Sequence, residues 1–163
     1  MQRRLRALAA LAILGSILVV AAPAANAAQD DEKHCVTAIV GQKKSGEFIT
    51  TPPICYPTFA QAQGQILADG STSDFQAADF TIGIHFDGYS FTGSSMSVVG
   101  SSCSGGWLNT SSNWDNRISS TWNGCPTIAH YDGYNLAGSV ETTTGGGGNL
   151  SSMVNRTQSL QYY

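Results

Sequence analysis

The chain has 163 residues, with 8 Lys and Arg against 11 Asp and Glu. So few cations, scattered singly, form no stripe that could neutralise phosphates, which excludes nucleic acid as a partner class. No stretch beyond the N-terminal segment is long and apolar enough to span a membrane.

Arg3, Arg4 and Arg6 form a basic start, Ala7 to Ala22 is an apolar run, and Ala25-Asn26-Ala27 places small residues where a signal peptidase reads. This layout predicts a secretory signal peptide over 1–27. An uncleaved anchor is the alternative, but the run is short for a span and a cleavage site follows it. Three of the eight basic residues and no acidic ones lie in this segment. The mature chain of 136 residues would then carry five basic against eleven acidic residues, a net charge of −6. That balance suits solubility and is compatible with cation binding. A chain of that length makes one domain's worth of core, burying about two-thirds of its unfolded surface.

Residues 28–79 form an N-terminal segment. A polar start at 28–34 precedes a β-branched run, Cys35 to Val40, that reads as a strand. Gly41 to Gly46 is a turn, Glu47 to Thr51 a return strand, and Pro52-Pro53 ends it because proline cannot donate to a ladder. Phe59, Ala62, Gln63 and Ile66 then fall at helical spacing. Pro57-Thr58 suits the start of that helix, and Asp69-Gly70 suits its end. Residues 71–79 read as a polar connector.

Four cysteines, an even number in an exported chain, read as disulfides. Three connectivities are possible. The spacing favours Cys35–Cys55 and Cys103–Cys125, since each pair lies within one local segment. Closely spaced ligand pairs of the zinc type are absent from the sequence.

From Phe80 onward Gly, Ser, Thr, Asn and aromatics dominate, and short alternating runs read as an all-β sandwich. This region, 80–163, contains an internal repeat. His85-Phe86-Asp87-Gly88-Tyr89-Ser90-Phe91-Thr92-Gly93-Ser94 matches His130-Tyr131-Asp132-Gly133-Tyr134-Asn135-Leu136-Ala137-Gly138-Ser139 at an offset of 45. Asp-Gly is expected to make a tight turn, with Gly tolerating positive φ, and the closing Ser to bond a backbone group of the hairpin. A second segment repeats at an offset of 39, aligning Asn116/Asn155, Arg117/Arg156 and Ser120/Ser159. The first unit, about 80–124, is therefore about six residues longer than the second, about 125–163, with the extra length in or near Ser101 to Ser112.

These residues resemble the βγ-crystallin superfamily. Its Greek-key motif carries an aromatic, a folded-hairpin glycine and a nearby serine, matched by Phe86, Gly93 and Ser94 and by Tyr131, Gly138 and Ser139. Its microbial members often carry a calcium signature of two Asp/Asn, two variable residues, Ser/Thr and Ser, and Asp115-Asn116-Arg117-Ile118-Ser119-Ser120 fits every position. The resemblance implies a mostly β, Greek-key sandwich of two motifs, preceded here by a disulfide-stapled hairpin and one short helix. It also implies two four-stranded antiparallel sheets, each motif lending a strand to the other. It implies calcium held by Asp115 or Asn116, the carbonyl of Arg117 and Ser119, all hard oxygen donors. The second loop departs from the pattern, with Val154 for Asp/Asn and Gln158 for Ser/Thr. The bland alternative for Asp115 to Ser120 is a polar turn.

Other signals are weaker. Ile82, Ile84 and Phe86 alternate, so His85 is expected on the exposed face of its strand rather than as a ligand with His130. Gly145 to Gly148 lacks the Lys-Ser/Thr of a phosphate loop. No Gly-x-Ser-x-Gly elbow occurs, and no carboxylate pair in an apolar setting, so nothing reads as an enzyme. Trp107, Trp114 and Trp122 default to core; an exposed indole would mark a carbohydrate or partner surface. The leading expectation is a secreted, extracellular calcium-binding or structural module. The competing ones are a metalloproteinase inhibitor, as in streptomycete members of the superfamily, acting through the loop Ser101 to Ser112, and a binder of cell-wall or fungal surfaces.

Overall fold

The computed structural model describes residues 33–68 and 79–163. The signal segment 1–27, the start at 28–32, the Asp69-Gly70 stop and the connector 71–78 lie outside the described residues.

His34, placed in the polar start by sequence, instead opens β1 (His34–Gln42) and is buried. The chain turns into β2 (Phe48–Thr50), which pairs with the far half of β1. After Pro52-Pro53 it returns as β3 (Ile54–Tyr56), whose Cys55 stands directly opposite Cys35 with Cα atoms 3.9 Å apart. The bond between them staples the two strands. Helix α1 (Phe59–Ala68) starts where expected. Thr58 Oγ1 accepts from the Gln61 N–H at 3.2 Å, satisfying one of the otherwise unpaired first-turn donors.

The repeat region supplies β4 (Phe80–Phe86), β5 (Ser95–Gly100), β6 (Trp107–Asn109) and β7 (Ser120–Asn123), then β8 (Thr127–Tyr131), β9 (Val140–Thr144), β10 (Gly148–Asn149) and β11 (Ser159–Tyr162). One sheet has the order β10-β7-β4-β5-β1-β2, with β3 also on β1; the other is β6-β11-β8-β9. The third strand of each repeat has therefore crossed to the other repeat's sheet: β6 pairs with β11, and β10 with β7.

The second sheet is four-stranded and antiparallel, as expected. The first departs from the expectation. It has seven strands, and β1 runs parallel to β5 from His34↔Ser95 to Ala38↔Val99. An edge such as β5 carries unpaired N–H and C=O groups, and a β-branched strand is the natural cover for it. Parallel pairing needs a long crossover, which β2, β3 and α1 supply.

Two cores result. The larger lies between the sheets and includes Phe48, Ile82, Met96, Val98, Ile128 and Leu160. The smaller lies on the outer face of the first sheet, where Ala62 and Ile66 of α1 pack on Val36 and Val99. Of the four residues read at helical spacing, Ala62 and Ile66 make this contact, whereas Phe59 is exposed. The second disulfide, Cys103–Cys125, ties the loop after β5 to the turn between β7 and β8.

His85 is fully buried between the sheets, not exposed. A bulge at Ile82, between Thr81 and Gly83, shifts the alternation of β4 by one residue. Ile82 and His85 therefore both face inward, and Ile84 and Phe86 face out. His85 Nδ1 meets Thr121 Oγ1 at 3.0 Å and its Nε2 meets the Tyr162 hydroxyl at 2.9 Å. His130, equally buried, reaches the same Thr121 hydroxyl through Nε2 at 2.9 Å. Burial lowers both imidazoles, His130 to about 4, and their mutual repulsion lowers His85 further.

Candidate functional site: the paired signature loops

Both repeats build the same hairpin. Its tight part is not at Asp-Gly: Gly88 and Gly133 are extended, and the left-handed residues are Ser90-Phe91 and Asn135-Leu136. Gly93 (φ 78°) and Gly138 (φ 84°) are required, because a Cβ at either would strike the carboxylate of Asp87 or Asp132. The hydroxyls that fasten the hairpins belong to the last serines of the signature loops. Ser120 Oγ donates to Gly88 O and accepts from Phe91 N, and Ser159 Oγ does the same with Gly133 O and Leu136 N. Ser94 instead accepts from the Lys33 N–H, and the Ser139 N–H donates to Asp132 Oδ1. Phe86 is buried on the outer face of the first sheet, and Tyr131 is half-buried on β8.

The loop 110–119 joins β6 to β7, and the loop 150–158 joins β10 to β11. They lie back to back. The Asn116 N–H donates to Thr157 O at 3.0 Å, and the Asn155 N–H donates to Ile118 O at 2.9 Å. These bonds are images of each other under the offset of 39, and both asparagines sit in the left-handed region, which Asn tolerates best after Gly. Each loop's arginine returns to its own hairpin: Arg117 to Asp87 at 2.5 Å, Arg156 to Asp132 at 2.6 Å. Arg117 also lies over the buried Trp114 ring, 5.4 Å from its centroid.

The side chains then diverge. In the first loop Ser119 Oγ donates to Asn155 Oδ1 of the second loop at 3.1 Å. Asp115, half-buried, accepts from the hydroxyls of Thr110 and Tyr134, and the bond to Asp115 pushes the Tyr134 hydroxyl up. Asn116 and Arg117 are exposed. Ser119 is thus bonded to Asn155 of the other loop, and Asp115 to Thr110 and Tyr134. In the second loop Glu141 of β9 accepts from the Ser151 and Met153 N–H groups and from the Ser151 and Ser152 hydroxyls. Partial burial alone would raise its carboxyl, but these donors prevail and hold it at about 2. Asn155 was visible as the partner of Asn116 in the repeat. Glu141 has no counterpart in the first repeat, where Met96 stands at the same offset, so no pattern announced it.

Hydroxyl, amide and carboxylate oxygens at the loop junction suit a hard cation by donor type. Among the described residues no group of three or more His, Cys, Asp or Glu side chains could hold a metal ion. The only carboxylate on either signature loop is Asp115.

Two sandwiched sheets that exchange their third strands, each closed by a Ser-fastened folded hairpin, decide the architecture. The fold is βγ-crystallin-like. No family model matches the chain, and no curated protein matches it. Two solved structures do. The N-terminal domain of Protein S is 18% identical, over 50% of this chain and 93% of that one, with a TM-score of 0.40. A double mutant of a βγ-crystallin domain from Clostridium beijerinckii is 17% identical, over 50% of this chain and 94% of that one, with a TM-score of 0.41. The two repeats supply β4 to β11; β1, β2, β3 and α1 are built onto the free edge and outer face of the first sheet.

Proposed function

We propose that the chain is an exported, non-enzymatic βγ-crystallin-like module that takes up calcium weakly where its two signature loops meet. The observation that carries this reading is the approach of Ser119 Oγ to Asn155 Oδ1, oxygens from two loops brought to 3.1 Å by a pseudo-twofold arrangement. The ion would take these two oxygens with nearby carbonyls, and Asp115 would add the one negative charge after leaving Thr110 and Tyr134. Affinity follows ligand number and charge, so the expected Kd lies in the range of extracellular modules, about 10⁻⁴ to 10⁻³ M. Two disulfides support an oxidising compartment. Among the described residues no helix is long and apolar enough to cross a membrane.

Calorimetry with calcium tests the reading. At ten times Kd, binding to the folded state alone adds about 1.4 kcal/mol, seen as a higher Tm. Asn155→Ala should abolish both heat and Tm shift. No heat and an unchanged Tm at millimolar calcium would sink the proposal.

A second reading, protease inhibition, rests on the loop 101–106. Trp107–Asn109, within the stretch expected to be free loop, is strand β6, so the extra length of the first repeat is concentrated here. The loop exposes Ser101, Ser102 and Ser104 and is anchored by Cys103–Cys125, by the Gly105 N–H on Tyr162 O at 2.7 Å, and by Gln161 Nε2 on Gly105 O at 3.0 Å. Rigid anchoring of an exposed loop is what resistance to cleavage requires. A thermolysin-type protease with unchanged activity in excess protein would remove this reading.

A further inference from the structure

Helix α1 covers only part of the outer face of the first sheet. It packs over β1 and β5, and leaves the outward side chains of β4 and β7 beside it. Outward positions of a sandwich are ordinarily polar. Here Ile84, Phe86 and Trp122 join Thr81, and they line a cleft of about 740 Å³ against the helix. Phe59 of α1 stands on one wall and Phe91 of the first hairpin on another, their rings 5.9 and 5.7 Å from Phe86.

We propose that this cleft is a binding site for a neutral, predominantly apolar small molecule. Its volume lies within the range of about 300–1,000 Å³ typical of small-ligand pockets. Among the described residues no Asp, Glu, Lys or Arg side chain lines it, so a strongly charged ligand would lose its hydration without an opposite charge. Its polar lining is largely committed elsewhere. His34 Nδ1 is bonded to Ser95 Oγ, Gln63 Nε2 to Ser97 Oγ, and Thr92 Oγ1 to Tyr89 O. A sugar needs several convergent hydrogen-bonding groups, and three of the four polar side chains in the lining each already hold a protein partner. The same bonds fix the walls: Gln63 pins α1 to β5, and Cys35–Cys55 ties β1 to the strand that leads into α1. A rigid, preformed, largely apolar cleft selects by shape and desolvation.

The test uses the oxidised protein in EDTA, which separates it from calcium binding. The probe is N-phenyl-1-naphthylamine, a neutral apolar fluorophore. One saturable site per chain is expected, with enhanced probe emission. Trp107 and Trp114 are buried whereas Trp122 is 39% exposed, so probe binding should also perturb the protein's own emission through Trp122. Trp122→Thr should weaken binding at least tenfold, and Thr81→Trp, which fills the cleft from β4, should abolish it. Tm measured on both variants identifies any that fails to fold, and either folded variant suffices for the comparison. Absent saturation, or affinity unchanged in a folded variant, overturns the proposal. So does a Trp122 response to N-acetylglucosamine oligomers without probe binding, or a concentration-dependent dimer that Trp122→Thr dissolves.

Discussion

The two repeats share a scaffold and differ in what they place on it. Both fasten the folded hairpin with the last serine of the loop, both return an arginine to the hairpin aspartate, and both set an asparagine in the left-handed region to bond the other loop. The first loop keeps Asp115 and turns Ser119 toward its neighbour. The second has Val154 and Gln158 at those positions, and Glu141 caps its backbone instead. The bonds that make the fold are duplicated and the groups that could hold an ion are not. The side chains that fasten the hairpins, Ser120 and Ser159, are therefore distinct from the oxygens proposed to hold an ion.

The largest break in this symmetry is covalent. Cys103–Cys125 belongs to the insertion of the first repeat and has no counterpart in the second. It closes a sequence separation of 22 residues that contains Asp115 to Ser120. The chain-entropy model gives about 3.4 kcal/mol for such a loop. Replacing both cysteines by serine should lower stability by about that amount in urea unfolding. Hydrogen exchange should accelerate first in the loop 110–119, and equal acceleration in 150–158 would show that the tether serves both repeats alike.

His85 and His130 occupy equivalent positions and share one hydroxyl, so acid should strike both repeats together. Folding disfavours protonation of each, and the native state holds fewer protons than the unfolded chain once pH falls below about 6.5. Stability present above that value is lost as pH falls, for His130 down to about 4. The lowering of His130 alone corresponds to about 3 kcal/mol. Urea midpoints at pH 7.5 and 4.5 measure the loss, and His130→Gln should flatten the curve.

Ser120→Ala and Ser159→Ala each leave a carbonyl and an N–H of the hairpin without their hydroxyl, and should each cost about 2 kcal/mol. Equal losses would confirm that the scaffold is truly duplicated; a difference above about 1 kcal/mol would not. Glu141→Gln should cost about 1 kcal/mol, discounted for partial exposure, with no counterpart in the first repeat. Its pH signature is opposite in origin to that of the histidines. A carboxyl held at about 2 contributes stability above its ordinary range near 4.5 and loses it as pH falls toward 2. Smallest are the exposed ion pairs Arg117–Asp87 and Arg156–Asp132, for which double-mutant cycles should give below about 1 kcal/mol each, falling with salt.

Much of this was legible before any coordinates. Fixed offsets of 45 and 39 exposed the duplication, cysteine spacing gave the pairing, and apolar spacing gave the helix and the side it buries. Such signals are local: each rests on a few neighbouring residues whose backbone preferences or periodicity leave one economical reading. Tertiary structure decided whatever required knowing a distant partner. Cys35 to Val40 reads as a strand by itself, but only the free edge of β5 makes it a parallel member of the first sheet. A serine can bond a hairpin from either end of the repeat, and the strand exchange selected Ser120 and Ser159 over Ser94 and Ser139. His85 turned inward because one extra residue at Ile82 shifted the two-residue alternation, and alternation carries no marker of where a bulge will fall.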